Sequence, residues 1–253
     1  MRDALQWLRS LLFIIQMYIA LPTMGLFYFP AALINRKYAF IFVKNYARYV
    51  RWSLAWMTGL KTETRGNVPT EECLIAAKHQ SFLDVIIIIS VSTNVRFILK
   101  RELHRLPIFR FFGDRLGNVP VVRGDRGKAI KKMMVDVASG KTEPGQLVIY
   151  PQGTRIAPGV GAPYKIGVGL LYEQTGQTCV PVATNVGVFW PKHGITRKPG
   201  LAVMEYLDPI KPGMARDAFM TQLEAGIETR SDALMAEAGF VKEITQETPD
   251  AVS

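Results

Sequence analysis

The chain has 253 residues, 49% hydrophobic and 21% charged, a balance that is typical of a folded protein and excludes a largely disordered one. Lysine and arginine outnumber aspartate and glutamate by 31 to 21, and the net charge of +10 favours an anionic partner: nucleic acid, an anionic membrane surface or a phosphorylated substrate. The two cysteines exclude a disulfide framework and indicate a reduced compartment, and the three histidines form no Cys/His cluster of the kind that binds zinc.

The first sixty residues differ in character from the rest of the chain. Residues 10–35 contain no charged side chain. At about 1.5 Å per residue, a helix over this stretch is long enough to cross a bilayer of about 30 Å. Pro22, Gly25 and Pro30 interrupt this run, so a re-entrant hairpin fits it as well as a span. Basic residues flank both ends, and either arrangement predicts an inner (cytoplasmic) membrane location with the following domain facing the cytoplasm.

Residues 38–60 combine aromatic with basic side chains. This composition predicts a helix that lies on the membrane surface, and a helix that packs on the domain is the alternative. The chain is accordingly divided into a membrane-associated part at 1–60, an α/β domain at 61–242 and a flexible tail at 243–253.

From residue 62 onward, short apolar runs alternate with helical patterns. Strands are predicted at 74–77, 95–99, 119–122, 146–150, 178–184 and 201–207. Helices are predicted after residue 84 and at 107–113 (a helix or a turn), 127–140, 165–174 and 216–238. This alternation predicts an α/β fold in which a mostly parallel or mixed central sheet is flanked by helices.

His79 and Asp84 lie between the apolar runs 74–77 and 85–89. Ser81 followed three residues later by Asp84 is a helix-start signal, which favours a helix over a strand for the second run. With His79 in the loop and Asp84 in the first helical turn, the carboxylate can accept from one ring nitrogen and leave the other free to take a proton. The alternative is that Asp84 only caps the helix and His79 is an ordinary loop residue.

Basic residues follow several of the predicted strands. In a parallel sheet the carboxyl ends of the strands lie along one edge, where ligands gather. Arg123 and Arg155 can each hold a phosphate through paired N–H donors, and Gly153 lets backbone amides approach closely. Lys100 and Arg101 follow another strand. The sequence therefore predicts a phosphate site at this edge, and solvated surface charges are the alternative.

Four motifs occur in the order in which the glycerolipid acyltransferase family carries them. His79 and Asp84, separated by four residues, fit the first motif, and the segment 117–123, which ends in a basic residue, resembles the second. Tyr-Pro-Gln-Gly-Thr-Arg at 150–155 resembles the third motif, Phe-Pro-Glu-Gly-Thr-Arg, and Val-Pro-Val at 180–182 resembles the fourth. The chain is thus similar to this family, in particular to its lysophosphatidic acid acyltransferases.

The resemblance covers roughly residues 67–207 and has two departures. Lys78 stands where the family usually has asparagine, and Gln152 stands where the third motif has glutamate. Gln152 can form hydrogen bonds but carries no charge. A carboxylate role at this position is therefore in question, and the substrate can differ from the commonest one.

The resemblance implies acyl transfer from a thioester to a lipid hydroxyl. His79 would remove the hydroxyl proton during attack on the thioester carbon, and Asp84 would orient the imidazole. Backbone amides near the Gly153 turn would support the oxyanion. The donor would be an acyl carrier protein or coenzyme A thioester, with no metal and no other cofactor. The phosphate of a lysophospholipid acceptor would be bound by Lys100, Arg123, Gly153, Thr154 and Arg155.

Two other functions stay open on the sequence alone. The nearer one is an acyltransferase for a different lysolipid, such as a lyso-ornithine lipid or a zwitterionic lysophospholipid. The more distant one is a non-catalytic basic protein that binds anionic membrane or nucleic acid. The aromatic residues concentrate in the apolar N-terminal segment and the sequence carries no nucleic-acid-binding signature, so nucleic acid is not expected as a partner.

Overall fold

The computed structural model describes residues 2–100, 107–121, 135 and 145–241. Within these ranges the chain forms a seven-stranded sheet flanked by helices, with a helical hairpin at its N-terminus. The predicted fold class, an α/β protein with a mostly parallel or mixed sheet, is confirmed. Arg123, the tail at 243–253 and nearly all of the predicted helix at 127–140 lie outside the described residues.

The N-terminal hairpin consists of α1 (Arg2–Ile34) and α2 (Lys37–Thr58). Both prolines of the apolar run lie inside α1, so the chain reverses between the two helices and not within the first. Hydrogen bonds show that the helices run antiparallel. Gln16 Nε2 donates to Ser53 Oγ at 3.1 Å, and Asn45 Nδ2 donates to the Tyr28 hydroxyl at 2.8 Å, so later residues of α1 contact earlier residues of α2. In the described part of the chain, α1 is the helix whose length and composition would allow it to cross a membrane.

The start of α1 is attached to residues far away in the sequence. Gln6 Nε2 donates to the Thr58 carbonyl at 2.8 Å and to the Arg197 carbonyl at 2.6 Å. The Arg197 amide donates in turn to Ser10 Oγ at 2.9 Å. The hairpin is therefore an integral part of the folded domain.

One face of α2 belongs to the protein core. Phe42, Tyr46, Val50 and Leu54 recur every four residues, are buried, and pack with α1 and the sheet domain. For this face of α2, the alternative interpretation of a helix that packs on the domain is confirmed. Trp52 and Trp56 lie on the outer side and are exposed, and their placement on a membrane surface stays a prediction.

The strands pair in the order β1-β7-β6-β2-β5-β3-β4. Neighbouring strands are parallel except β6 and β7, which are antiparallel. Their bounds are β1 Leu60–Arg65, β2 Cys73–Ala77, β3 Val95–Lys100, β4 Val119–Val121, β5 Gln146–Ile149, β6 Cys179–Thr184 and β7 Gly200–Tyr206. All six predicted strands are confirmed. The polar strand β1 is not among them, because an edge strand with little buried surface lacks the apolar pattern that indicates a strand.

The remaining helices cover the sheet: α3 Leu83–Val91, α4 Pro107–Leu116, α5 Gly167–Thr175, the short α6 Val186–Phe189 and α7 Arg216–Glu237. The central strand β2 is buried throughout, and its side chains alternate between two cores. Ile75 faces the core that contains residues of α1 to α4, and Leu74 faces the core formed with α5 and α7. Burial on both faces explains the uninterrupted apolar run of this strand.

Candidate active site

The candidate site lies at the carboxyl ends of three adjacent parallel strands. β2 pairs with β5 on one side and with β6 on the other. The residues that follow these strands are joined by hydrogen bonds. The Ile156 amide donates to the His79 carbonyl at 2.8 Å, and the Gly187 amide donates to Gln80 Oε1 at 3.0 Å. The sheet topology thus brings together segments that lie more than seventy residues apart.

His79 and Asp84 meet as the sequence predicts. His79 lies in the loop after β2, Asp84 lies in the first turn of α3, and His79 Nδ1 is 3.0 Å from Asp84 Oδ2. The amides of Gln80 and Ser81 donate to the same oxygen at 2.7 and 2.8 Å. An ionised carboxylate only accepts hydrogen bonds, so the arrangement assigns the proton to Nδ1 and a lone pair to Nε2. Asp84 is fully buried, whereas the His79 side chain is 16% exposed and can be reached.

Ser81 is buried and faces the start of α3. Its Oγ accepts from the Leu83 amide at 3.2 Å, while Asp84 reaches back to the Ser81 amide. The helix begins at Leu83 with Phe82 as its N-cap, so Ser81 lies one residue before the cap; the predicted helix after it is confirmed. The hydroxyl is therefore engaged with its own helix and is not presented as a nucleophile beside His79.

The segment after β5 forms a tight turn and is bonded to the loop that carries His79. The Gly153 amide donates to the Tyr150 carbonyl at 2.9 Å, and Gly153 has φ +71°, a conformation that L side chains rarely adopt. A Cβ atom at this position would also lie 2.8 Å from Lys165 Nζ. The Gly153 amide is therefore committed to the turn, and the expectation that backbone amides near this turn support an oxyanion stays a prediction for its neighbours.

The predicted phosphate-binding residues fall into two groups. Gly153, Thr154 and Arg155 lie in the turn beside His79; Thr154 is exposed and Arg155 is half-buried. Lys100 ends β3, two strands away from β2, and Arg123 lies outside the described residues. The structure thus places the backbone next to Arg155 against the backbone of the candidate base, through the bond from the Ile156 amide to the His79 carbonyl.

Tyr150 covers one face of the His79 ring. The two ring centroids are 3.9 Å apart and the ring planes differ by 18°. The tyrosine hydroxyl is buried and has no hydrogen-bond partner among the described residues. Burial, and secondarily the charge of Asp84, raises the pKa of Tyr150 well above its ordinary value, so the phenol stays neutral. The sequence signal was an aromatic residue directly after a buried strand, which does not specify a contact with His79.

Lys78, which replaces the family's asparagine, is buried in a cluster that sequence reasoning missed. Its ammonium group pairs with Glu228 Oε2 of α7, and the Tyr164 hydroxyl donates to Glu228 Oε1 at 2.8 Å. Burial and the Glu228 charge raise the pKa of Tyr164, which keeps this hydroxyl a donor. The cluster ties the end of β2 to α7 and to the segment after the Gly153 turn. No local pattern reveals a partner 150 residues away.

Replacing Glu228 with glutamine should lower the free energy of unfolding by about 2–4 kcal/mol, because the Lys78 ammonium stays buried without a counter-charge. Urea denaturation of the purified protein measures this change. Lys78→Met combined with Glu228→Gln removes both charges and should recover most of the loss. Glu173→Gln, which removes an exposed partner of Arg216, is the control and should cost less than about 1 kcal/mol. Equal effects of the two glutamine substitutions would contradict the prediction.

A family model described as Acyltransferase matches residues 59–185, about half of the chain. The chain belongs to the acyltransferase family. The matched range begins just before β1 and ends just after β6, so it contains His79, Asp84 and the Gly153 turn, while α1, α2 and α7 lie outside it.

Similar proteins with assigned names support this placement. The chain is 27% identical over 217 residues to a 1-acyl-sn-glycerol-3-phosphate acyltransferase from Pseudomonas aeruginosa, covering 85% of this chain and 82% of that one. It is 31% identical over 122 residues to a Helicobacter pylori protein of the same name, covering 47% and 50%. The crystal structure of the LPA acyltransferase PlsC from Thermotoga maritima has a TM-score of 0.79 at 20% identity, covering 93% and 98%. That likeness establishes a shared fold.

Proposed function

We propose that this acyltransferase moves a fatty acyl chain from an acyl thioester to the free sn-2 hydroxyl of lysophosphatidic acid, forming phosphatidic acid for phospholipid biosynthesis. The observation that carries the proposal is the His79–Asp84 pair at 3.0 Å, beside the turn that presents Gly153, Thr154 and Arg155. The names of similar proteins from Pseudomonas aeruginosa and Helicobacter pylori agree with this acceptor.

The proposed reaction is a direct attack of the acceptor on the thioester. His79 Nε2 removes the proton of the lipid hydroxyl as its oxygen attacks the thioester carbon, and Asp84 stabilises the imidazolium that forms. The tetrahedral intermediate collapses, the carbon–sulfur bond breaks, and the imidazolium returns the proton to the departing thiolate. The products are the diacylated lipid and a free thiol. Coenzyme A or acyl carrier protein is the proposed thiol carrier, as a co-substrate, and the scheme uses no metal.

Arg155, with Arg123 and Lys100, is proposed to hold the phosphate of the acceptor. A guanidinium group can bind two phosphate oxygens at once, which fixes the orientation of the acceptor as well as its distance. With the phosphate held, the hydroxyl is positioned next to Nε2 and does not have to find it by diffusion.

Mass spectrometry of the products tests the proposal. Purified protein is incubated with acyl-coenzyme A or acyl-acyl carrier protein and, separately, with lysophosphatidic acid, lysophosphatidylcholine and lyso-ornithine lipid. Phosphatidic acid is the expected major product. Preferential acylation of another lysolipid would overturn the proposed acceptor. Gln152, whose Oε1 is buried without a partner in the described structure, would then be the first position to change.

The N-terminal hairpin is proposed to hold the protein at the cytoplasmic face of the inner membrane. α1 exposes large apolar side chains along its length, including Leu26 and Phe27, which is 80% exposed. Trp52 and Trp56 of α2 add two exposed aromatic rings of the kind that favours the membrane interface. Contiguous apolar surface of this extent is unusual for a monomer in water and supports contact with lipid.

Leu26→Asp combined with Phe27→Asp should reduce vesicle binding by at least about tenfold, because each apolar side chain contributes about 1.5–3 kcal/mol when buried. Sedimentation with anionic phospholipid vesicles measures the bound fraction. Val241→Asp, which changes an exposed apolar residue after α7, is the matched control and should bind like the wild type. Unchanged vesicle binding of the double variant would show that the hairpin does not make the proposed membrane contact.

A further inference from the structure

The inference concerns how the His79 ring is held, and it rests on the proposed role of His79 as the base. The hydrogen bond from Nδ1 to Asp84 fixes one atom of the imidazole. Rotation of a histidine ring about its χ2 angle is soft, because this torsion has broad minima. A hydrogen bond at one nitrogen therefore restrains the direction of Nε2 incompletely. A productive proton transfer needs that direction within roughly 10–20°.

We propose that Tyr150 is a positioning residue for His79, acting through the face of its aromatic ring. The near-parallel stack at 3.9 Å blocks rotation of the imidazole toward Tyr150, while Asp84 restrains it in the ring plane. The stack on Tyr150 and the hydrogen bond to Asp84 together fix the direction in which Nε2 points. The aromatic face also carries partial negative charge, which favours the imidazolium that forms during the reaction.

Tyr150 is itself held firmly. It follows directly after β5, its carbonyl accepts from the Gly153 amide at 2.9 Å, and the Ile156 amide closes the same segment onto the His79 carbonyl at 2.8 Å. The ring that packs on His79 is thus built on a central strand and a hydrogen-bonded turn. Its position follows from the backbone and not from a side-chain hydrogen bond.

The proposed positioning of His79 depends on the aromatic ring of Tyr150 and not on its hydroxyl. It is buried without a hydrogen-bond partner in the described structure, which is an unfavourable state for a polar group. Phenylalanine at this position keeps the ring and removes the unpaired hydroxyl. The proposal therefore predicts opposite outcomes for the two simplest substitutions, Tyr150→Phe and Tyr150→Leu.

Steady-state kinetics of the full-length protein test the proposal. Tyr150→Phe should keep kcat within about twofold of the wild type, whereas Tyr150→Leu should lower kcat by roughly 10- to 100-fold, since misplacement of a reacting group is costly. The KM for each substrate should change by less than about threefold in both variants, because Tyr150 holds the base and not the substrates.

Tyr172 supplies a matched control. It stacks on Phe219 with a centroid distance of 3.9 Å and an interplanar angle of 6°, in the core on the other face of the sheet. Tyr172→Leu should lower the melting temperature and leave kcat within about twofold. A similar kcat loss in Tyr172→Leu and Tyr150→Leu would assign the effect to general destabilisation and overturn the proposal. Wild-type kcat in Tyr150→Leu, or an equal loss in Tyr150→Phe, would also overturn it.

Nuclear magnetic resonance provides a readout that does not need turnover. Protons above an aromatic face are shielded, so the carbon-bound ring protons of His79 should resonate upfield in the wild type and in Tyr150→Phe. In Tyr150→Leu they should return to the ordinary range. Identical shifts in all three proteins would show that the rings do not stack in solution and would refute the inference. If the wild type acylates no lysolipid at all, the proposed function fails, and the shifts still decide whether Tyr150 orients the ring.

Discussion

His79→Ala should lower kcat by about 10²–10⁴-fold, because a positioned general base typically contributes that factor. Initial rates of lysophosphatidic acid acylation, measured with the preferred thioester, give the change. His193→Ala is the matched control, since His193 is exposed and lies after α6, and it should keep the wild-type rate. Near-normal turnover by a folded His79→Ala protein would contradict the mechanism.

Asp84→Asn extends this prediction to the second member of the pair. Asp84 Oδ2 accepts from His79 and from two backbone amides, so asparagine can keep part of the geometry but loses the charge. Most of the rate should therefore be lost while the fold is retained. Because the two residues act as a unit, the double variant should be little slower than His79→Ala alone. A multiplicative loss would show that Asp84 acts independently of His79.

Arg155→Ala should raise the KM for lysophosphatidic acid by roughly 10- to 100-fold, because a charge-assisted contact with the phosphate is worth about 1.5–3 kcal/mol. The KM for the thioester donor should stay within about twofold. Titration of each substrate at a saturating concentration of the other separates the two effects. The half-buried position of Arg155 in the turn beside His79 motivates this expectation.

Two comparisons control the Arg155 experiment. Arg216→Ala removes a cation of α7 that pairs with Glu173, and it should leave both KM values unchanged. Monoacylglycerol lacks the phosphate. If the enzyme acylates it at all, Arg155→Ala should leave the KM for this acceptor unchanged. An unchanged KM for lysophosphatidic acid, or an equal rise for the donor, would identify Arg155 as a solvated surface charge.

Local signals in the sequence were sufficient for most of the framework. Buried strands such as β2 have uninterrupted apolar runs, and the Ser81–Asp84 spacing located the start of α3 and hence the meeting of His79 with Asp84. For α2, the mixture of aromatic and basic residues favoured a helix on the membrane surface, whereas the structure buries the face that runs from Phe42 to Leu54.

Long-range pairings were not available from the sequence. The contact of Lys78 with Glu228 and the stack of Tyr150 on His79 join segments that only the sheet order brings together. A buried lysine and an aromatic residue after a strand each have many possible neighbours, and nothing in the local pattern selects one. The same limit applies to the orientation of the Gly153 amide, which depends on the turn geometry.

The attachment of Gln6 to the Arg197 carbonyl has a consequence for how the chain is made. The two residues are 191 positions apart, and α1 leaves the ribosome long before its partner is synthesised. α1 and α2 can form early, because their contacts are local, but the face of α2 that belongs to the domain core stays uncovered until the later strands arrive. Under the proposed membrane role of the hairpin, a lipid surface met during translation would shelter the apolar helices while the sheet is assembled against them.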